Sequence, residues 1–393
     1  MNEHILNTAI QDFINSNINF DITSLLLKNT SFKNVELKEI VTQIEAKKRC
    51  KSKLSTWFNT PNIYYPNKLN IEQTSSEITA NYKSQLIKGN SIIDLTGGFG
   101  VDCYYFSKEF KEVTHCEIDK NLSDIVTYNY NQLRVNNIVT KNIDGIKYLK
   151  STSKKYDWIY IDPSRRHNSK GKVFYLKDCL PNIPEHLESL FEHADNVLIK
   201  VSPMLDLTVG ISELTYTKEI HIVAINNEVK ELLFVLNKGH EADIQVKAIN
   251  LKNGKKQVFE FNYSSRNDTK VNYSLPLTYL YESNAAILKS GAFNNIAKQL
   301  SVFKLHKHSH LYTANKLMSF PGRSFKISNV LPYNKKTIKR ILGNTKANIT
   351  VRNFPESVNS LRKKFNINDG GNTYAFFTIN INNEKIVIIC EKA

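Results

Sequence analysis

The chain has 393 residues, with 53 Lys/Arg against 37 Asp/Glu and a formal net charge of +16. That length excludes a peptide-scale binding module and leaves room for two or three domains. Five scattered cysteines (Cys50, Cys103, Cys116, Cys179, Cys390), with no CxxC pair, argue against a structural zinc and for a reducing compartment. The opening residues have neither a basic leader nor an apolar core, and no run of about 18 apolar residues occurs. A soluble cytoplasmic protein is expected.

Residues 1–75 have helical spacing at Leu37, Ile40, Val41 and Ile44, followed by a basic run at Lys47, Lys48, Arg49, Lys51 and Lys53. Such a run is either a solvated face or a set of phosphate contacts. Thr74 to Glu77 resembles a capping box opening a helix that runs to about Leu86.

From Asn90 the pattern alternates between strands and helices, as in a largely parallel sheet with crossover helices. Strands are expected near 91–95, 113–118, 138–142, 157–161, 196–201, 219–225 and 229–236. The last two are joined only by Asn226 to Glu228, too short for a parallel crossover, so they form an antiparallel hairpin. Five parallel strands and that hairpin make a seven-stranded α/β sheet, the Rossmann-like form carried by class I S-adenosylmethionine methyltransferases.

The run Ser91 to Gly100 ends a β-branched strand in Asp94 and continues through Thr96, Gly97, Gly98 and Gly100, a turn that lets backbone approach a ligand at a helix N-terminus. Glu117, at the end of the second strand, is placed to accept hydrogen bonds from ribose hydroxyls. Asp144 follows the third strand, where a carboxylate can accept from an adenine amino group, although Asn142 to Gly145 is equally an ordinary turn. The fourth strand leads into Asp162, Pro163, Ser164, Arg165 and Arg166. A side-chain oxygen followed by a proline carbonyl suits holding an exocyclic amine, with orientation doing most of the work of transfer. Ser164 and Arg165 do not reproduce the Pro-aromatic pair that stacks a flipped base. Arg165 and Arg166 suit a phosphate or base edge. Lys200 and Ser202 end the fifth strand, and neither the fourth nor the fifth strand end carries the cysteine that a pyrimidine C5-methyltransferase needs.

Beyond Gly239, two alternating segments flank Asn253-Gly254 as a hairpin, either an edge addition or the start of a second domain. His306, His308 and His310 would share one face of a strand, but no Cys or carboxylate lies near them in sequence and no metal site is expected. The end of the chain, with strands and helices from Phe325 to Cys390, forms a small α+β domain. It holds most of the charge: from Ala285 onward there are 18 Lys/Arg against 4 Asp/Glu. Clustered cations release counterions when they neutralise phosphates, which makes nucleic acid the expected partner. A general bias toward Lys would not concentrate the charge at one end.

The segments 74–80, 94–102, 162–166, 200–206 and 226–232, together with Phe320 to Arg323 and Arg352 to Pro355, resemble a family of bacterial class I methyltransferases with a ferredoxin-like segment and a THUMP-like C-terminal domain. The resemblance implies an RNA methyltransferase using S-adenosyl-L-methionine. It also implies that Ser76, Thr79 and Lys83 line the methionine end of the cofactor. The expected layout is a helical region over 1–75, the methyltransferase domain over 76–240, a hairpin extension over 241–275, a ferredoxin-like segment over 276–318 and a THUMP-like domain over 319–393. The expected function is methylation of a base in tRNA or rRNA. The other readings are a protein or small-molecule methyltransferase and a non-catalytic RNA-binding protein that retains the cofactor fold.

Overall fold

The computed structural model describes residues 1–26, 31–165, 175–268 and 270–393. The chain divides into two compact units, residues 1–217 with 234–240, and residues 218–233 with 241–393.

The first unit begins with a turn of 3-10 helix, Glu3–Leu6, and five helices: α1 (Thr8–Ser16), α2 (Ile22–Leu26), α3 (Leu37–Lys53), α4 (Ser55–Asn59) and α5 (Lys68–Gln73). The basic run on α3 is largely tied down. Lys47 is buried and donates to Asn15 Oδ1 (2.6 Å), Arg49 pairs with Glu72 (2.9 Å), and Lys53 donates to the Ile71 carbonyl (2.9 Å). Next come α6 (Glu77–Leu86), β1 (Ser91–Asp94), α7 (Val101–Phe106), β2 (Glu112–Cys116), α8 (Lys120–Gln132), β3 (Ile138–Lys141), α9 (Gly145–Ser151) and β4 (Trp158–Ile161). A short ribbon, β5 (Ser164–Arg165) with β6 (Cys179–Leu180), precedes α10 (Ile183–His193), β7 (Asn196–Val201) and α11 (Leu207–Glu213). The parallel strands lie in the order β7-β4-β1-β2-β3. Ile92, Ile93, Ile159, Val197 and Leu198 are fully buried, as a sheet covered on both faces requires. The N-terminal helices are anchored to α8, where the Asn129 side chain exchanges hydrogen bonds with the Tyr64 backbone (2.9 and 2.8 Å).

β8 (Thr217–Ile225) and β9 (Glu228–Asn237) are joined by Asn226 and Asn227, both at positive φ (50° and 68°), the two-residue turn that matches strand twist. β10 (Gln245–Lys252) and β11 (Lys255–Asn262) form the hairpin around Asn253-Gly254. Seven strands are expected from the sequence, yet the sheet has nine among the described residues, because β10 pairs in parallel with β8 and β11 returns beside it. The hairpin thus covers what would be an open edge of β8.

After α12 (Ser265–Asp268), the second unit builds a separate seven-stranded sheet. Its elements are β12 (Tyr279–Ser283), α13 (Ala285–Ser290), α14 (Phe293–Gln299), β13 (Phe303–Lys304), β14 (Leu311–Ala314), β15 (Gly322–Pro332), α15 (Lys335–Leu342), β16 (Asn348–Val351), α16 (Val358–Phe365), β17 (Thr373–Ile379) and β18 (Lys385–Lys392), with strand order β13-β14-β12-β15-β18-β17-β16. Period-2 alternation splits the two faces. Ala375, Phe377, Val387 and Ile389 pack under α15 and α16, while Phe376, Ile386, Ile388 and Cys390 pack with Leu280, Leu311 and Phe325. Glu282 on β12 is almost fully buried and is held by Arg323 on β15 (Nε to Oε2, 2.7 Å) and by Arg352 after β16 (Nη2 to Oε1, 2.7 Å).

The three histidines are not on a strand. They lie in the turn between β13 and β14, where His306 contacts Asn383 (3.2 Å) and Asn353 (3.1 Å) and His310 stacks on Phe293. No group of metal-ligating side chains occurs among the described residues, and no described helix is long and apolar enough to cross a membrane.

Phe377 is fully buried between α16 and the sheet. Phe377→Ala is expected to destabilise the second unit by about 3–5 kcal/mol, read as a lower urea midpoint; an unchanged midpoint contradicts this packing.

Candidate functional site

The ends of the parallel strands carry the candidate residues. Asp94, at the end of β1, is almost fully buried. Its Oδ1 accepts from the Thr96 N–H (2.9 Å) and hydroxyl (3.2 Å), and its Oδ2 lies 3.4 Å from Cys103 Sγ. Burial pushes the Asp94 carboxyl up to about 7, and the negative charges of Asp102 and Asp162 add to the shift. The Thr96 hydroxyl in turn accepts from the Asp162 N–H (2.7 Å), so one side chain links the ends of β1 and β4.

The turn after β1 is shaped by close approach. Gly97 donates its N–H to the Cys116 carbonyl (2.8 Å), and a Cβ there would lie 2.2 Å from His115 Nε2. His115 is fully buried under the turn, and that burial pulls its pKa down to about 4, so its ring is neutral at physiological pH. Gly98 donates to Glu117 Oε2 (2.9 Å), and its open side has no atom nearer than the Thr96 carbonyl at 3.9 Å. Gly100, at φ +77°, starts α7 and receives the Tyr130 hydroxyl on its carbonyl (2.9 Å).

Glu117 is oriented from both sides, since Oε1 also accepts from the Asp119 N–H (2.8 Å). Each carboxylate oxygen keeps acceptor capacity. Ile118 beside it is 71% exposed, and Asn142 Nδ2 holds the Glu117 carbonyl (2.9 Å). Asp144 caps α9 by accepting from the Lys147 N–H through Oδ1 (3.0 Å).

A buried ion pair lies behind this surface. Lys83 on α6 is fully buried, its Nζ 3.1 Å from Asp102 Oδ1 and 3.1 Å from Ser75 Oγ. Asp102 Oδ2 accepts from Ser75 Oγ and Tyr160 OH, both at 2.8 Å. Burial alone would raise the Asp102 pKa. The charges of Lys83 and Lys200, with the two hydroxyls, outweigh it and hold the carboxyl below its ordinary value. The capping box expected at residues 74–77 takes another form. Ser76 caps α6 by accepting from the Thr79 N–H (3.2 Å), while Glu77 turns away to accept from Thr56 and from the Tyr105 hydroxyl (2.8 Å). Thr79 is buried, and its side chain contacts Ser76 (3.3 Å).

Lys200, on β7, donates to Asp162 Oδ2 (2.5 Å). Pro163 is buried, Arg165 enters the ribbon opposite Cys179, and Arg166 lies outside the described residues. Asp94, Thr96, Asp162 and Lys200 therefore form one linked group, while Gly97, Gly98 and Glu117 form another on the neighbouring strand ends. Asn227 is engaged elsewhere: its N–H donates to Asn250 (2.9 Å) and its Oδ1 accepts from the Ala285 N–H (2.8 Å). Sequence reasoning missed Ser75, Asp102 and Tyr160, whose partnership with Lys83 joins residues far apart in the chain.

Two substitutions test this arrangement. Lys83→Met strands the buried Asp102 carboxylate and is expected to destabilise the first unit by about 3–5 kcal/mol; pairing it with Asp102→Leu should recover part of that loss in urea denaturation. Gly97→Ala forces the turn off His115 and should shift the His115 ring resonances and lower the melting temperature, and an unchanged spectrum would refute the close approach.

The residues match known domains at the C-terminal end. Residues 279–321 match a ferredoxin-like domain, and residues 322–392 match a domain described as THUMP domain-like. A search of the curated proteins gives no match. Among solved structures, the chain resembles a candidate methyltransferase from Porphyromonas gingivalis W83 at 29% identity and a TM-score of 0.89, covering 100% of this chain and 99% of that one. Partial likenesses include an rRNA methylase from Streptococcus thermophilus (12% identity, TM-score 0.31, 41% of this chain and 94% of that one). Another is TrmK of M. capricolum in complex with S-adenosyl-homocysteine (15% identity, TM-score 0.33, 41% and 68%). The chain therefore carries a ferredoxin-like and a THUMP domain-like segment in its C-terminal region and shares, end to end, the fold of that Porphyromonas methyltransferase candidate.

Proposed function

We propose that this chain is a class I S-adenosyl-L-methionine-dependent methyltransferase that acts on a base in RNA, with tRNA or rRNA held by its basic C-terminal region. The observation that carries the proposal is the pair of oriented carboxylates at the ends of β2 and β4, the two strands that flank β1. Glu117 is fixed by the N–H groups of Gly98 and Asp119; the Asp162 carboxylate is held by Lys200, and its backbone N–H is tied through Thr96 to Asp94. The whole-chain likeness to a methyltransferase candidate supports the same reading.

The residues fit the cofactor. Open space above Gly98, spare acceptor capacity on Glu117 and the exposed Ile118 suit a ribose and a purine. Asp144 has a second oxygen for an adenine amino group, Asp94 meets the methionine or ribose part, and Thr96, Gly97, Gly98 and Gly100 allow close backbone approach. Ser76 and Thr79 border the methionine end. The cofactor supplies a methyl group already activated by its sulfonium.

The protein's task is then orientation. Lys200 holds one oxygen of Asp162, leaving Oδ1 to accept an N–H of an exocyclic amine, with the Pro163 carbonyl as the second acceptor. Arg165 and Arg166 meet phosphate or a base edge.

Calorimetry should detect S-adenosylmethionine binding that Asp94→Ala and Glu117→Ala abolish, and no binding by the unmodified protein would sink the proposal. Asp162→Asn is expected to lower methyl transfer to bulk RNA about a hundredfold while leaving cofactor affinity unchanged. Mass spectrometry of tRNA and rRNA nucleosides from a deletion strain would identify the base through its missing methyl mark.

Because Asp94 is pushed up to about 7, a cationic ligand favours its ionised form. Affinity for S-adenosylmethionine should rise as pH increases through 7 and level off above it, with proton release on binding. Asp94→Asn should remove that pH dependence; a pH-independent affinity in the unmodified protein contradicts the assignment.

A further inference from the structure

The positive charge of the second unit is not equally available. Arg323 and Arg352 share the buried Glu282. Arg362 pairs with Asp369, and Lys364 bonds to both Glu356 and the Tyr333 hydroxyl. Glu356 and Asp369 are the only carboxylates between residues 335 and 372, and both are committed to these partners.

Another set remains on the outer layer. Lys335, Lys336, Lys339 and Arg340 on α15, with Lys346 after it and Lys363 on α16, are exposed and have no ion pair among the described residues. Their direction is fixed from below. Ile338 and Leu342 of α15 and Leu361 and Phe365 of α16 are buried in one core with Phe377, so neither helix can roll its charges inward without exposing that core. The result is a cationic layer with no local counter-charge, on rigid elements.

This surface suits a phosphodiester backbone better than a lipid headgroup layer. A membrane-bound basic helix needs an apolar face to insert, and the apolar face of α15 is already consumed by the core. None of the exposed large hydrophobic side chains falls between residues 333 and 372.

We infer that the outer face of α15 and α16, and not the arginines of the Phe320–Arg323 and Arg352–Pro355 segments, is the phosphate-contacting surface for RNA. The choice of RNA rests on the function proposed above; the choice of face rests on the distribution of committed and uncommitted cations. Binding here is electrostatic and tolerant of sequence, so it holds the RNA without selecting the base.

The test compares two full-length variants of equal charge loss, K335Q/K336Q/K339Q/R340Q and K33Q/K38Q/K48Q/K51Q, the second on exposed lysines of the N-terminal region. Binding of fluorescent bulk tRNA is followed by anisotropy from about 50 to about 200 mM salt. The α15 variant is expected to lose at least about tenfold in affinity, with a salt slope shallower by about 3, while the second variant keeps both. Three results would overturn the inference: no tRNA binding by the unmodified protein, retention of affinity and slope in the α15 variant, or equal losses in the two variants. Selective loss of binding to phosphatidylserine vesicles, with tRNA binding retained, would assign the face to a membrane and overturn it as well. Melting temperature confirms that the variants are folded. Calorimetry with S-adenosylmethionine separates the two proposals: failed tRNA binding with intact cofactor binding removes only this inference, and the reverse removes only the methyltransferase reading.

Discussion

A lysine with no exposure to solvent is the constraint around which the first unit is organised. Removing an ammonium and a carboxylate from water costs several kcal/mol per ion, and only nearly complete pairing makes Lys83 and Asp102 tolerable inside. The partners come from four places: α6 supplies Lys83, the residues before it supply Ser75, the first turn of α7 supplies Asp102, and β4 supplies Tyr160. Moving any one of them leaves a buried charge or hydroxyl short of a partner. The start of α7 is thereby pinned, and with it the glycine turn that α7 follows.

Above that pinned turn, backbone groups set the geometry and side chains relay it. The Thr96 hydroxyl accepts from the Asp162 N–H and donates toward Asp94, while Gly97 and Gly98 attach the same turn to the end of β2 and to Glu117. Three strand ends are therefore tied to one another by hydrogen bonds. A site whose chemistry consists of aligning two bound groups gains most from such ties, because misplacement by about 1 Å costs about a hundredfold in rate.

Much of this was legible in the chain itself, and the failures have physical reasons. The five parallel strands and the Asn226-Asn227 hairpin were readable because β-branched runs and a two-residue turn are local signals. The Asn253-Gly254 hairpin was readable as a hairpin, but alternation does not say which edge a hairpin joins. Its pairing with β8, and hence the count of nine, was not accessible. The histidines at 306, 308 and 310 mimic a strand face because spacing two apart also fits a turn. Ser76 was legible as a helix cap, whereas the buried cluster around Lys83 was not, since Asp102 comes from the next helix and Tyr160, which joins the cluster through Asp102, from β4. Arg323 and Arg352 stood out in the sequence as features of a resemblance; only the fold shows them closing on Glu282.

That closure bears on how the C-terminal half can be inherited. The matched ferredoxin-like and THUMP domain-like segments meet between residues 321 and 322, yet β12 pairs with β14 of the first segment and with β15 of the second in a single sheet. Glu282 lies on one side of the boundary and both of its arginines on the other. A gene fragment beginning at residue 322 would encode a bare β15 edge, open to pairing with other chains, and two guanidinium groups without their anion. The two segments are thus one heritable block: recombination that exchanged either alone would have to replace both halves of the ion cluster and the shared strand pairing together.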